Sequence, residues 1–335
     1  MIDDLDPVDP SIAGLPSPRS RASLIGHDQA ASRLVRSWQR GVMHHALLLT
    51  GPRGIGKATL AYQIAKMVIS GADDLAGGLG TPADRQIAQG ASQQFRRLAR
   101  AANPDGKLKR EIGVEDVRAL TPFLRQRSGR SDWRVVLIDA ANDLNVSSAN
   151  ALLKVLEEPG DRTLFLLVAH GSDDLLTTIR SRCLSVRCDP LSSGELGQVL
   201  RDSSLSSADI ERALPFAHGS VRRAITLAEG EGIETVEQLE RILAKAQLSP
   251  SDAQRLADAV ARKDGEHLFE LVREELPRSL RHRAKALGLP RATAIADATT
   301  ELSRSWAERE EFGVDRALSV KAALYRAHGA LWSSP

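Results

Sequence analysis

The segment Gly51-Pro52-Arg53-Gly54-Ile55-Gly56-Lys57 has the pattern of a phosphate-binding loop, with glycines at its ends and a lysine after the last of them. Glycine lets backbone amides converge on phosphate oxygens, the helix that follows adds the positive end of its dipole, and Lys57 supplies a point charge. A loop of this kind that hydrolyses nucleotide places Ser or Thr directly after the lysine to hold magnesium. Here that position is Ala58, and the hydroxyl comes one residue later, as Thr59. One residue turns a helix by roughly 100°, so Thr59 is not placed to replace the missing ligand. The loop is expected to bind ATP or ADP weakly, and magnesium lacks one of its holders.

The stretch VVLIDA resembles the strand whose aspartate positions magnesium and whose next residue, a glutamate, polarises the attacking water. Asp139 is present, but Ala140 follows it. General-base assistance contributes about 10²–10⁴ in rate, and Ala140 cannot supply it. Two lesions in one pocket point to a loop kept for structure or binding rather than for hydrolysis. Arg180 and Arg182 stand in the turn TIRSRC, and Arg222 in GSVRRA, where each is either a solvated charge or a phosphate contact. His44, His45 and His170 show no metal-ligand spacing and read as structural.

These residues need a frame. HHALLLTG reads as a buried strand running into the glycine loop, and ATLAYQIAKMVIS as the helix after it, with Leu60, Ile64, Met67 and Val68 on one face. A helix is expected before it, from Leu24 to Trp38, and another over Val114–Leu124. WRVVLIDA, TLFLLVA and CLSVRC supply further strands, and ANALLKVLEEP a helix capped by Ser147 or Ser148 and ended before Pro159. Continuous apolar strands alternating with helices argue for a parallel α/β sheet covered on both sides. Residues 71–92 show no period and read as a loop. After Pro190 the patterns are helical, with capping-box starts at Ser192/Glu195 and Ser206/Asp209 and a break at Gly219-Ser220. Ile295, Leu302 and Trp306 mark a buried helical face further on. The expected organisation is a flexible tail (1–22), an α/β phosphate-loop domain (23–189), a small helical domain (190–232) and an all-helical domain (233–335).

Composition narrows the class. The 335 residues carry 45 basic and 43 acidic side chains, a net charge of +2, which lacks the basic footprint of a dedicated nucleic-acid binder. Two cysteines, Cys183 and Cys188, are too few for structural zinc and suit a reducing cytoplasm. No apolar run approaches the ~20 residues that span a bilayer. The acidic start, with Asp3, Asp4, Asp6 and Asp9, is not a secretory signal. A cytoplasmic protein without membrane contact is expected.

Taken in order, GPRGIGKATLAYQIAK, WRVVLIDAANDL, SSANALLKVLEEP and TIRSRC resemble the delta-prime subunits of the bacterial DNA polymerase III clamp loader, over about residues 22–230. NALLKVLEEP and the triplet Ser181-Arg182-Cys183 are the most specific elements. The resemblance implies an AAA+ domain, a small helical lid and a C-terminal collar domain through which subunits form a ring. It implies a subunit of the polymerase holoenzyme that supports ATP-dependent loading of a sliding clamp on primed DNA, alongside motor and delta-type subunits. Such a subunit does not hydrolyse ATP itself but completes a neighbour's site with the arginine matching Arg182, and Gly51, Gly54, Gly56, Lys57, Ala58, Thr59, Asp139 and Arg222 line a degenerate nucleotide pocket. Two other readings stay open: an ATP-hydrolysing motor-type subunit with unusual ligands, and a phosphate-loop kinase of small molecules. The zinc module of some relatives is missing, since no cysteine lies between Lys57 and Asp139.

Overall fold

The computed structural model describes residues 14–103, 109–125, 133–171 and 175–332. Five strands, β1 (Ala46–Thr50), β2 (Phe95–Leu98), β3 (Arg134–Asp139), β4 (Thr163–Ala169) and β5 (Leu184–Arg187), form one all-parallel sheet in the order β2-β3-β4-β1-β5. This order places β1 between β4 and β5, so the loop that leaves it opens at the carboxyl edge of the sheet, where α/β folds bind ligands. It is the parallel α/β sheet with a glycine loop that the sequence leads one to expect.

Around the sheet lie α1 (Asp28–Gln39), α2 (Lys57–Ser70), α3 (Pro82–Ala88), α4 (Val114–Arg118), α5 (Leu120–Arg125), α6 (Val146–Glu157) and α7 (Thr177–Arg180), and α8 (Ser193–Leu200) follows the last strand. Side chains alternate across each strand. Leu47 and Leu49 therefore pack with Leu60, Ile64 and Met67 of α2, while Ala46 and Leu48 face Leu152 and Leu156 of α6. Helix α2 is buried nearly all round, and among its buried polar side chains Gln63 donates to the Arg21 carbonyl and Lys66 meets Asp84 at 2.8 Å.

Several local expectations are adjusted. The cap of α6 is Asn145, not Ser147 or Ser148: its side chain accepts from the Ser148 amide at 2.9 Å. The stretch read as one helix from Val114 is two short ones parted at Ala119. Within 71–92 a helix, α3, starts at Pro82, with the Thr81 hydroxyl as its cap. Strand β2 had no counterpart in the sequence reading. Part of the expected tail, residues 1–13, lies outside the described residues. In the remainder Leu15 is buried, and the Arg21 carbonyl accepts from Gln63 at 2.8 Å.

The chain divides into two compact units. The first comprises the described residues up to Leu205 together with His218–Arg222, and the second takes Ser206–Ala217 and the described residues from Arg223 onward. The division falls within the segment expected to form a lid. The capping box of α8 is formed, with the Ser192 amide donating to the Glu195 carboxylate at 2.7 Å. Beyond it run α9 (Ser207–Ala217), α10 (Val221–Ala228), α11 (Gly232–Ala244), α12 (Pro250–Ala261), α13 (Glu266–Ala284), α14 (Leu289–Phe312) and α15 (Arg316–Trp332). In the second unit Phe269 and Trp306 meet edge to face at 5.4 Å, and Arg223, buried, pairs with Glu274 at 2.8 Å and with Glu275. No helix among the described residues is long and apolar enough to cross a membrane.

Candidate functional site

The end of β1 delivers the chain into the phosphate loop, and two of its glycines are dictated by close neighbours. At Gly51, φ 153°, a Cβ would stand 2.3 Å from the Cys188 carbonyl, because β5 runs directly beside β1. At Gly54, φ 77°, a Cβ would meet Ser220 Oγ at 2.5 Å and Arg222 Cβ at 2.6 Å. The segment ahead of α10 is tied to the loop: Ser220 Oγ donates to the Arg53 carbonyl at 2.9 Å, and the Val221 amide to the Gly54 carbonyl at 2.9 Å. Gly56, in the left-handed region at φ 105°, starts α2.

Lys57 is buried, and its ammonium donates to the carbonyls of Gly51 at 2.7 Å and Pro52 at 2.5 Å. Burial lowers its pKa to about 8, opposed by the nearby Cys188 and Asp139 and reinforced by Arg53. The amine is thus folded into its own loop, and a phosphate must draw it away from two carbonyls. Ala58 follows with no hydroxyl, and Thr59 is buried.

Asp139 closes β3 at the same edge. Its Oδ2 lies 3.1 Å from Nη2 of Arg97 on β2, and both side chains are largely enclosed, 16% and 8% exposed. Four residues on, Asp143 pairs with Arg100 at 3.2 Å, and burial raises the Asp143 pKa. Ala140 is buried and apolar. Two neighbours of the pocket were not foreseen as such. His170, just past β4, donates its amide to Asn142 Oδ1 at 2.8 Å. Its pKa falls to about 4, first through burial and then through the cations Lys57 and Arg53, so the imidazole is neutral at pH 7. Arg97 was missed because a four-residue strand rich in arginine has no apolar period to announce it. His44 and His45 stack on each other at 4.4 Å, in keeping with a structural reading.

The remaining predicted residues separate. Arg222, in the first turn of α10, is exposed and lies on the loop side through its Cβ contact with Gly54. Arg182 belongs elsewhere. It precedes β5 by two residues, Leu184 pairs with Leu47 at the start of β1, and Arg187 pairs with Thr50 where the loop begins. At ~3.3 Å per residue Arg182 therefore sits at the amino edge of the sheet, away from its own phosphate loop. There its guanidinium donates to the Thr178 carbonyl at 3.0 Å and contacts Glu157 of α6 at 2.5 Å. Arg180 is exposed at the end of α7. The thiols of Cys183 and Cys188 are pushed up to about 11 by burial, and no group of three or more His, Cys, Asp or Glu among the described residues is placed to hold a metal.

A family model described as DNA polymerase III, delta subunit, matches residues 26–192. The chain is 33% identical over 242 residues to the DNA polymerase III subunit delta′ of Pseudomonas aeruginosa, covering 70% of this chain and 62% of that one. It is 30% identical over 281 residues to the DNA polymerase III subunit tau of Escherichia coli, covering 78% of this chain and 41% of that one. The chain thus spans under two thirds of the length of these relatives. A solved gamma subunit-related protein of Thermotoga maritima superposes with a TM-score of 0.45 at 15% identity, covering 88% of this chain and 98% of that one, a likeness too loose to define a shared fold. The phosphate loop, the Asp139 strand and the Ser181–Cys183 triplet all fall inside the stretch that the family model matches, and this match together with the likeness to delta′ supports a delta-prime-type subunit of DNA polymerase III.

Proposed function

We propose that this chain is a clamp-loader subunit that does not hydrolyse ATP and instead lends Arg182 to the nucleotide of a neighbouring motor subunit. The observation that carries the reading is the pair of opposite sheet edges. The chain's own phosphate loop lies at the carboxyl edge with Ala58 and Ala140 where a hydrolytic site needs a hydroxyl and a carboxylate, while Arg182 lies at the amino edge. An arginine so placed can serve a phosphoryl group only on another molecule. The reading makes the segment 190–232 the helical lid domain, Arg222 a phosphate contact, and the region from 233 a collar that joins subunits in a ring. The exposed residues Leu318, Ala322, Tyr325 and Trp332, which line one stripe along α15, support the collar. Sliding clamp and primed DNA are then met through the complex, in the cytoplasm.

The likeness to tau favours a second reading, an ATP-hydrolysing motor-type subunit. Phosphate release by the isolated chain separates the two. The proposal expects no turnover above a buffer blank, and turnover abolished by Lys57→Ala would overturn it in favour of the motor.

A further inference from the structure

A P-loop NTPase holds magnesium with a hydroxyl after the loop lysine and an aspartate on a neighbouring strand. The residues of this chain do not fit that ion. The hydroxyl position is Ala58, and the aspartate, Asp139, already has a cation: Arg97 Nη2 stands 3.1 Å from its Oδ2. The strand register explains the pairing, since Arg97 on β2 is the partner of Leu137 on β3, two residues short of Asp139. The next acid, Asp143, is likewise engaged, with Arg100 from the same edge of the sheet at 3.2 Å. One short basic segment, Arg97 to Arg100, thus neutralises both carboxylates, at the end of β3 and just beyond it. A divalent ion at Asp139 would have to displace a guanidinium enclosed on most sides and approach to ~2.0–2.1 Å, with Lys57 and Arg53 adding positive charge nearby.

We infer that Arg97 is a built-in replacement for the divalent cation beside Asp139, so that this pocket takes no metal ion and any phosphate it accepts arrives without one. The inference rests on reading Gly51–Lys57 as a phosphate loop and is independent of the role of Arg182. Arginine suits the position because it stays charged at all working pH values and its fork of donors matches a carboxylate. The arrangement makes the site a fixed part of the sheet, with both carboxylates paired before any ligand enters.

Manganese, read by electron paramagnetic resonance on the isolated full chain, tests this directly. The wild-type chain should hold no more Mn2+ than Asp139→Asn, with or without ATP in the solution. Arg97→Gln should gain Mn2+ affinity by at least tenfold, and the double variant Arg97→Gln/Asp139→Asn should lose the gain. Arg97→Lys, which keeps a cation, should stay at the wild-type level. Mn2+ bound by the wild type and lost in Asp139→Asn would overturn the inference without recourse to any Arg97 variant. So would a folded Arg97→Gln that takes up no more Mn2+ than wild type. Because ATP turnover of the assembled complex reports on Arg182 and Mn2+ uptake by the isolated chain reports on Arg97, failure of one leaves the other standing.

Discussion

At the scale of single residues, the pocket is defined by how charge is held. His170 stays neutral in the folded chain down to about pH 4, whereas an imidazole in the unfolded chain takes its proton near 6.5. The unfolded state therefore binds the proton first, and stability present above pH 6.5 is lost as the pH falls toward 4. We predict that His170→Asn flattens this part of the stability profile, measured as the urea midpoint at several pH values against wild type. A variant whose midpoint falls as steeply as wild type between pH 6.5 and 4 would remove His170 from the account. The residues that carry local patterns were legible in the sequence: Gly51, Gly54, Gly56 and Lys57 stand within one loop, and Ala58 and Ala140 announce themselves by what they lack. His170 and Arg97 were not, because their importance depends on which strands lie side by side. Arg97 and Asp139 are 42 residues apart and meet only because β2 pairs with β3.

Among elements, the phosphate loop shows how packing restricts a motif that is usually explained by its ligand. Gly54 is left-handed and also pressed against Ser220 and Arg222, so Gly54→Ala adds ~1–2 kcal/mol of backbone strain to ~1–3 kcal/mol of overpacking. Gly41 has a similar φ of 68° with open space within 4 Å of where a Cβ would stand, so Gly41→Ala bears only the strain, about 1–2 kcal/mol. Chemical denaturation of both variants should rank Gly54→Ala as clearly the more damaging, and equal losses would mean that the 218–222 segment does not press on the loop. The same scale shows where sequence reasoning stops. β1, β3, β4 and α2 are long or apolar enough to be read directly, whereas β2 has four residues with two arginines, and α3 hides in a stretch of Gly, Ala and Asp. The cap of α6 went to Asn145 because a cap is chosen by where the chain turns, and Val146, one residue on, is already helical.

For the whole molecule, helical character after β5 was visible in the sequence, but the division into units was not, since composition does not change at Leu205 or Arg223. The apolar stripe on α15 is 61% exposed at Leu318 and 52% at Tyr325. Substituting both with Asp should leave the melting temperature of the isolated chain within a few degrees, since neither side chain is in its core. It should weaken co-purification with the other clamp-loader subunits by tenfold or more. Undiminished assembly would show that this face of α15 is not an assembly surface.

The account turns on Arg182. A guanidinium beside a transferred phosphoryl group is worth about 10³–10⁵ in turnover, whereas a half-exposed ion pair such as that with Glu157 is worth ~0–1 kcal/mol. The decisive measurement is ATP turnover, stimulated by clamp and primed DNA, in a complex reconstituted with Arg182→Ala. The account predicts normal ring assembly with a sharp fall in turnover that Arg180→Ala does not reproduce. A fully assembled Arg182→Ala complex that hydrolyses ATP and loads clamps at the wild-type rate would contradict it.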